Sequence, residues 1–233
     1  MFKKLIRSIL FFQICIIFVS CSNIPEIKHF DIWHKTDMQA ECSSFFLENP
    51  RQFLHSIEVT MPGGKKGFVM GITRIFPEQK KIHCIMMTLE GLVLFDAVYD
   101  KTLEIRRGIS PFDSVDFASG LMDDIGFIFF KPDTFLETGV MENSLKVCRF
   151  QTGLNRIIDI IIHSSTARSK NGVLFLTMCQ YRNQKPARTV NAYHDSGSDL
   201  PGITGLASEL ELISHTFPGY TLNLKLVETE RID

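Results

Sequence analysis

The chain has 233 residues, 45% of them apolar and 22% charged, with 15 glycines and 9 prolines. That composition excludes disorder, collagen-like repeats and low-complexity polymer, and the length suits one domain with a small appendage. A formal charge of −1 lacks the basic excess of a nucleic-acid-binding domain, so no nucleic-acid partner is expected.

The N-terminus departs from this average. Lys3, Lys4 and Arg7 precede an apolar run over residues 9–19 that only Gln13 interrupts. A basic segment followed by an apolar one too short to cross a bilayer reads as a secretory signal. The run closes with Phe18-Val19-Ser20-Cys21, which resembles the bacterial lipoprotein signal. The resemblance implies cleavage after residue 20 and lipid on Cys21; an ordinary signal peptide with an incidental Cys21 is the alternative. Ser22 stands where lipoproteins kept at the inner membrane often carry Asp, which implies the outer membrane. Loss of the signal moves the net charge from −1 to −4. Acyl chains contribute about 0.8 kcal/mol per buried methylene, so a lipidated Cys21 would anchor the chain without help from the fold.

Cys15 leaves with the signal and Cys21 takes lipid, leaving Cys42, Cys84, Cys148 and Cys179. Outside the cytoplasm these four allow three full disulfide pairings. Cys84 and Cys179 lie in apolar, strand-like runs where a buried free thiol is equally compatible. No Cys-x-x-Cys pair exists, which excludes a zinc ribbon or a thioredoxin-type motif.

In chain order, residues 1–20 are a signal peptide, 21–50 a lipidated tether with a helix near 35–47, and 51–228 a single domain. Strands are predicted over 52–61 and 68–76, joined by the turn-rich Pro62-Gly63-Gly64-Lys65-Lys66-Gly67. Residues 81–89 and 92–100 form a hairpin closed at Glu90-Gly91, and 102–107 continue the meander. A helix then runs from Ser110 as N-cap, with Pro111 at its first position, to Lys131-Pro132. Ala118, Leu121, Met122, Ile125, Ile128 and Phe129 form its apolar stripe, and Asp123-Asp124 its solvated face. Gly120 and Gly126 each weaken it by about 1 kcal/mol relative to Ala, so it depends on burying the stripe against the sheet. Further strands are predicted over 144–151, 156–163, 172–181, 187–193, 206–214 and 220–228. The fold class is thus mainly β: a curved antiparallel half-barrel with one or two helices as a lid.

Catalytic motifs are missing from the sequence: no Gly-x-Ser-x-Gly elbow, Walker A, His-Glu-x-x-His or Gly-x-Gly-x-x-Gly. His29 and His34 are too sparse for a metal site, and no metal, cofactor or enzymatic activity is expected. Tyr193-His194-Asp195-Ser196 sets hydrolase-type residues side by side, whereas a triad is assembled from distant segments. The 20 phenylalanines and 9 methionines, by contrast, can line an adaptable apolar cavity or fill an ordinary core. Strand alternation and the helical stripe single out Phe68, Met70, Met86, Phe95, Leu121, Met122, Ile125 and Phe129 as candidate cavity residues.

Three stretches carry a family resemblance. They are Gly67-Phe68-x-x-Gly71-Ile72-x-Arg74, the hairpin from Leu89-Glu90-Gly91-Leu92 to Tyr99-Asp100, and Phe217-Pro218-Gly219-Tyr220 with the alternating leucines that follow. Over residues 51–227 the chain resembles the LolB-like outer-membrane lipoproteins of the LolA/LolB superfamily. That resemblance implies a half-closed barrel whose helical lid covers a cavity for acyl chains. Its implied partners are acyl chains or lipoproteins, the outer membrane through the lipid anchor, and a periplasmic carrier protein. A leucine on a protruding hairpin aids membrane delivery in that family; the matching position is Leu89, with Leu92 beside it. Glu90 departs from the family pattern, which is more nearly Leu-Gly there. A scaffold with a filled core, serving another envelope protein, is the competing expectation.

Overall fold

The computed structural model describes residues 24–29, 35–141, 144–163, 168–169, 172–195 and 206–232. The signal segment, Cys21, Trp33, His34 and Ser196 lie outside them. Two helices are described, α1 (Lys35–Ser43) and α2 (Val115–Phe129). The first six strands are β1 (Lys28–His29), β2 (Arg51–Thr60), β3 (Lys66–Phe76), β4 (Lys81–Met87), β5 (Val93–Asp100) and β6 (Thr102–Gly108). After α2 come β7 (Thr134–Val140), β8 (Lys146–Thr152), β9 (Arg156–Ile162), β10 (Arg168–Ser169) and β11 (Gly172–Arg182). The last three are β12 (Lys185–His194), β13 (Glu209–Ser214) and β14 (Thr221–Arg231).

All pair antiparallel in one 14-stranded sheet of order β1-β7-β8-β9-β11-β12-β13-β14-β2-β3-β4-β5-β6, with β10 beside β11. The sheet is curved and not closed into a barrel, and the helices lie on its inner face. This is the mainly β half-barrel with a helical lid expected from the sequence. Among the described residues no helix is long and apolar enough to cross a membrane.

Strand alternation sets the two faces. In β4, Ile82, Cys84 and Met86 are buried while the residues between them are not, and ladder pairing places Ile75, Thr73 and Gly71 opposite them in β3. The same parity carries Phe53 and His55 in β2, Leu210 and Leu212 in β13, and Ile158 and Ile160 in β9 onto the inner face. There they meet Met122, Ile125, Ile128 and Phe129 of α2 in one core. Burial on this scale, at roughly 25 cal/mol per Å² of apolar surface, is the main force holding the helix against the sheet.

The helix starts later than the sequence suggests. Ser110 is not its N-cap: residues 109–112 form a turn in which the Phe112 N–H donates to the Ile109 carbonyl (2.8 Å). Gly108 makes that turn possible, because a Cβ there would stand 2.6 Å from the Asp113 Cα. Ser114 then caps α2, its hydroxyl accepting from the Phe117 N–H at 3.2 Å. A second departure is β7, where no strand was predicted. Its residues pair with β8, and Gly139 lets β1 approach, since a Cβ would come within 2.1 Å of the Lys28 carbonyl oxygen.

Cys42 and Cys148 form a disulfide that ties α1 to β8, and Cys84 and Cys179 are free. On the outer face the N-terminal segment covers Val147 and Ile161 with Ile27. Beside them Arg149 bridges the fully buried Asp159, at 2.7 and 2.8 Å, and donates to the Pro25 carbonyl at 2.8 Å.

Candidate functional site

Helix α2 is fixed across the inner face by charge as well as by packing. Asp124, on the buried side of the helix, faces Arg188 of β12, with Nε to Oδ1 at 3.0 Å, and accepts a hydrogen bond from the Tyr220 hydroxyl. Burial raises the Asp124 carboxyl above its ordinary range, and Arg188 and Tyr220 oppose that shift. One residue earlier, Asp123 pairs with Arg156 of β9 at 3.2 Å. Asp124 is therefore not solvated as the sequence reading had it. The signal was present: position 124 falls at helical spacing from Leu121 and Ile128, within the apolar stripe.

Between the C-terminal half of α2 and the sheet lies a half-open crevice of about 360 Å³. Met122, Gly126, Phe127 and Phe130 form its helical wall, and Ile82, Tyr99, Leu103 and Ile158 its sheet wall. Lys80, Lys131, Arg156, Asp123, Ser119 and Thr152 lie around it, with Gln180 of β11 also in the lining. Aromatic side chains fill much of the interior beside it. Phe53, Phe95 and Phe150 are fully buried, Phe53 packs on Phe129 with ring centroids 4.9 Å apart, and Phe95 meets Phe117 edge-on at 5.5 Å.

The candidate cavity residues divide accordingly. Met122 lines the crevice. Met86, Phe95, Ile125 and Phe129 are buried in the packed core, and Leu121 is partly buried against it. Phe68 and Met70 do not face inward. Inward-facing Gly71 sits opposite Met86, so the even positions of β3 point outward, and Phe68 is 60% exposed. The reason is register: a single step along a strand exchanges its faces, and the Gly-rich turn before β3 gave no cue to which parity was buried. Phe68 instead borders a shallow depression of about 190 Å³ on the outer surface, together with Leu89.

Leu89 stands at the tip of the β4–β5 hairpin, 69% exposed, with Leu92 at 53%. The turn is closed by the Thr88 N–H donating to the Leu92 carbonyl (2.9 Å) and the Gly91 N–H to the Thr88 carbonyl (3.0 Å). Gly91 adopts φ +88°, a conformation open to glycine. A hydrogen bond from Thr88 holds the Glu90 carboxyl below its ordinary range, so the tip pairs two exposed leucines with a charge.

His194 stacks on Phe175 with ring centroids 4.0 Å apart, and neither of its ring nitrogens has a hydrogen-bond partner among the described residues. Burial lowers its pKa. No cluster of three metal-ligating side chains occurs among the described residues.

No protein-family profile matches the chain, and no curated protein matches its sequence. Among solved structures, its backbone is similar to a LolA superfamily protein from Nitrosomonas europaea, with TM-score 0.44 and 7% identity over 85% of this chain and 93% of that one. It is also similar to a domain of a protein assigned to outer membrane lipoprotein sorting from Vibrio parahaemolyticus, with TM-score 0.47 and 8% identity over 86% of this chain and 93% of that one.

Proposed function

We propose that this chain is a non-enzymatic, lipid-anchored envelope protein that holds an acyl chain in the crevice beside α2 and takes part in placing lipids or lipoproteins at the outer membrane. One observation carries the role: a crevice of about 360 Å³ between a helix and the curved sheet, with Ile82, Met122, Phe127 and Ile158 on its walls and polar side chains around it. That size lies at the lower end of the range for small-molecule pockets. The lipoprotein-type signal ending at Cys21 would supply the anchor. Leu89 and Leu92, exposed at a hairpin tip, suit contact with a lipid surface, and the charged Glu90 limits how deeply that tip can enter.

The test is saturable binding of a fluorescent fatty acid to the mature chain carrying Cys21→Ser, displaced by unlabelled dodecanoate. Displacement is expected; an unsaturable signal at the level of free dye would end the proposed role. A second role, a scaffold for another envelope protein, is favoured by the filled interior around Phe53, Phe95 and Phe129. It predicts no fatty-acid binding and stable association with an envelope complex.

A further inference from the structure

We infer that the crevice selects a single acyl chain carrying an anionic headgroup, with the tail against Ile82, Met122 and Ile158 and the headgroup at the rim formed by Lys131 and Arg156. This rests on the acyl-binding role proposed above and adds the chemical class of its ligand.

Size sets the number of chains. At about 360 Å³ the crevice is near the lower limit for a ligand pocket, which suits one chain rather than two or three. Charge sets the headgroup. The full sequence carries a net charge of −1, yet the crevice gathers Lys80, Lys131 and Arg156 around a single carboxylate, Asp123. Lys80 is engaged by Asp133 and Arg156 by Asp123, while Lys131 is exposed and has no ion-pair partner among the described residues. The rim therefore holds an uncompensated cation beside a guanidinium whose planar fork can donate to a second anionic oxygen.

The third observation is Gln180. It lines the crevice, only 3% of its surface is exposed, and its Oε1 has no hydrogen-bond partner. Gln180 stands opposite Ile158 in the ladder, one inward-facing position from Arg156, so apolar wall, amide and guanidinium follow one another along the same face. Buried polar groups are normally partnered, and an amide whose two ends are distinguished only by their partners can turn its N–H₂ toward an incoming anionic oxygen.

A carboxylate and a phosphate monoester share this chemistry, and amphiphiles of equal tail length distinguish them. Dodecanoate, dodecyl phosphate, dodecanol and dodecyltrimethylammonium are each titrated, below micelle formation, against the mature Cys21→Ser chain holding the fluorescent fatty acid. One or both anions should displace the probe at roughly tenfold lower concentration than dodecanol, with the cation weakest, as charge-assisted hydrogen bonds imply. Whichever anion is stronger identifies the headgroup. Lys131→Glu, at an exposed position that leaves the fold intact, should narrow the gap between anion and alcohol, and added salt should narrow it in the parent. Equal displacement by all four amphiphiles would overturn the headgroup preference and leave the acyl-binding role standing. Absence of any probe binding would remove the acyl-binding role itself.

Discussion

His55 shows how burial turns one residue into a pH sensor of the fold. It sits on the inner face of β2, 2% exposed, stacked on Phe53 at 5.8 Å, and its Nε2 has no hydrogen-bond partner. Burial lowers its pKa from 6.5 to about 4. The unfolded chain then binds the proton more readily than the folded one. The contribution is fully present above pH 6.5 and is lost as pH falls through 4. The shift corresponds to about 3 kcal/mol. Denaturant melts at neutral pH and at pH 4 should show His55→Leu losing about 3 kcal/mol less than the parent across that interval. Equal losses would mean that His55 takes up a proton in the folded state as readily as in the unfolded chain.

Legibility at the residue scale followed the strength of the local pattern. Met122, Ile125 and Phe129 lay on a clear helical stripe, and all three are buried. Asp124 lay on that stripe too, but its buried position follows from Arg188 and Tyr220, which sit 64 and 96 positions further along the chain and leave no trace beside it. For Phe68 and Met70 the alternation alone points to the wrong face, because two faces of one strand differ by a single step and the ladder that decides between them is tertiary.

At the scale of elements, α2 is stabilised by its surroundings more than by its own sequence. A Cβ at Gly120 would meet nothing within 4 Å, whereas one at Gly126 would touch the Phe130 ring at 3.4 Å. Gly120→Ala should therefore stabilise the fold by about 1 kcal/mol, read as a higher thermal midpoint, and no gain would mean that the helix is strained there. Element α1 relies on a covalent tie instead. Cys42 and Cys148 are 106 positions apart, and a cross-link over so long a loop contributes about 5 kcal/mol in the chain-entropy account. Cys42→Ser with Cys148→Ser should lower unfolding stability by that order, and a reductant should lower the parent's melting temperature but not the double variant's. Four candidate cysteines allowed three full pairings in the sequence, and the observed bridge with two free thiols required the approach of α1 to β8. The β4–β5 hairpin was legible because Glu90-Gly91 between alternating runs specifies its own turn.

At the scale of the whole molecule, successive antiparallel strands separated by short turns made the half-barrel legible, since neighbours in sequence mostly become neighbours in the sheet. How far such a sheet is filled is a property of volumes, which sequence periodicity does not encode. The aromatic side chains expected to line a lumen instead fill much of it, and a crevice stays open beside the C-terminal half of α2. The most direct test of an acyl chain in that space is the crystal structure of the mature Cys21→Ser chain with a terminally brominated dodecanoate. Bromine density is predicted between α2 and the sheet, against Met122 and Ile158. Bromine found only on the outer surface near Phe68 and Leu89, with the crevice closed by the protein's own side chains, would contradict the account.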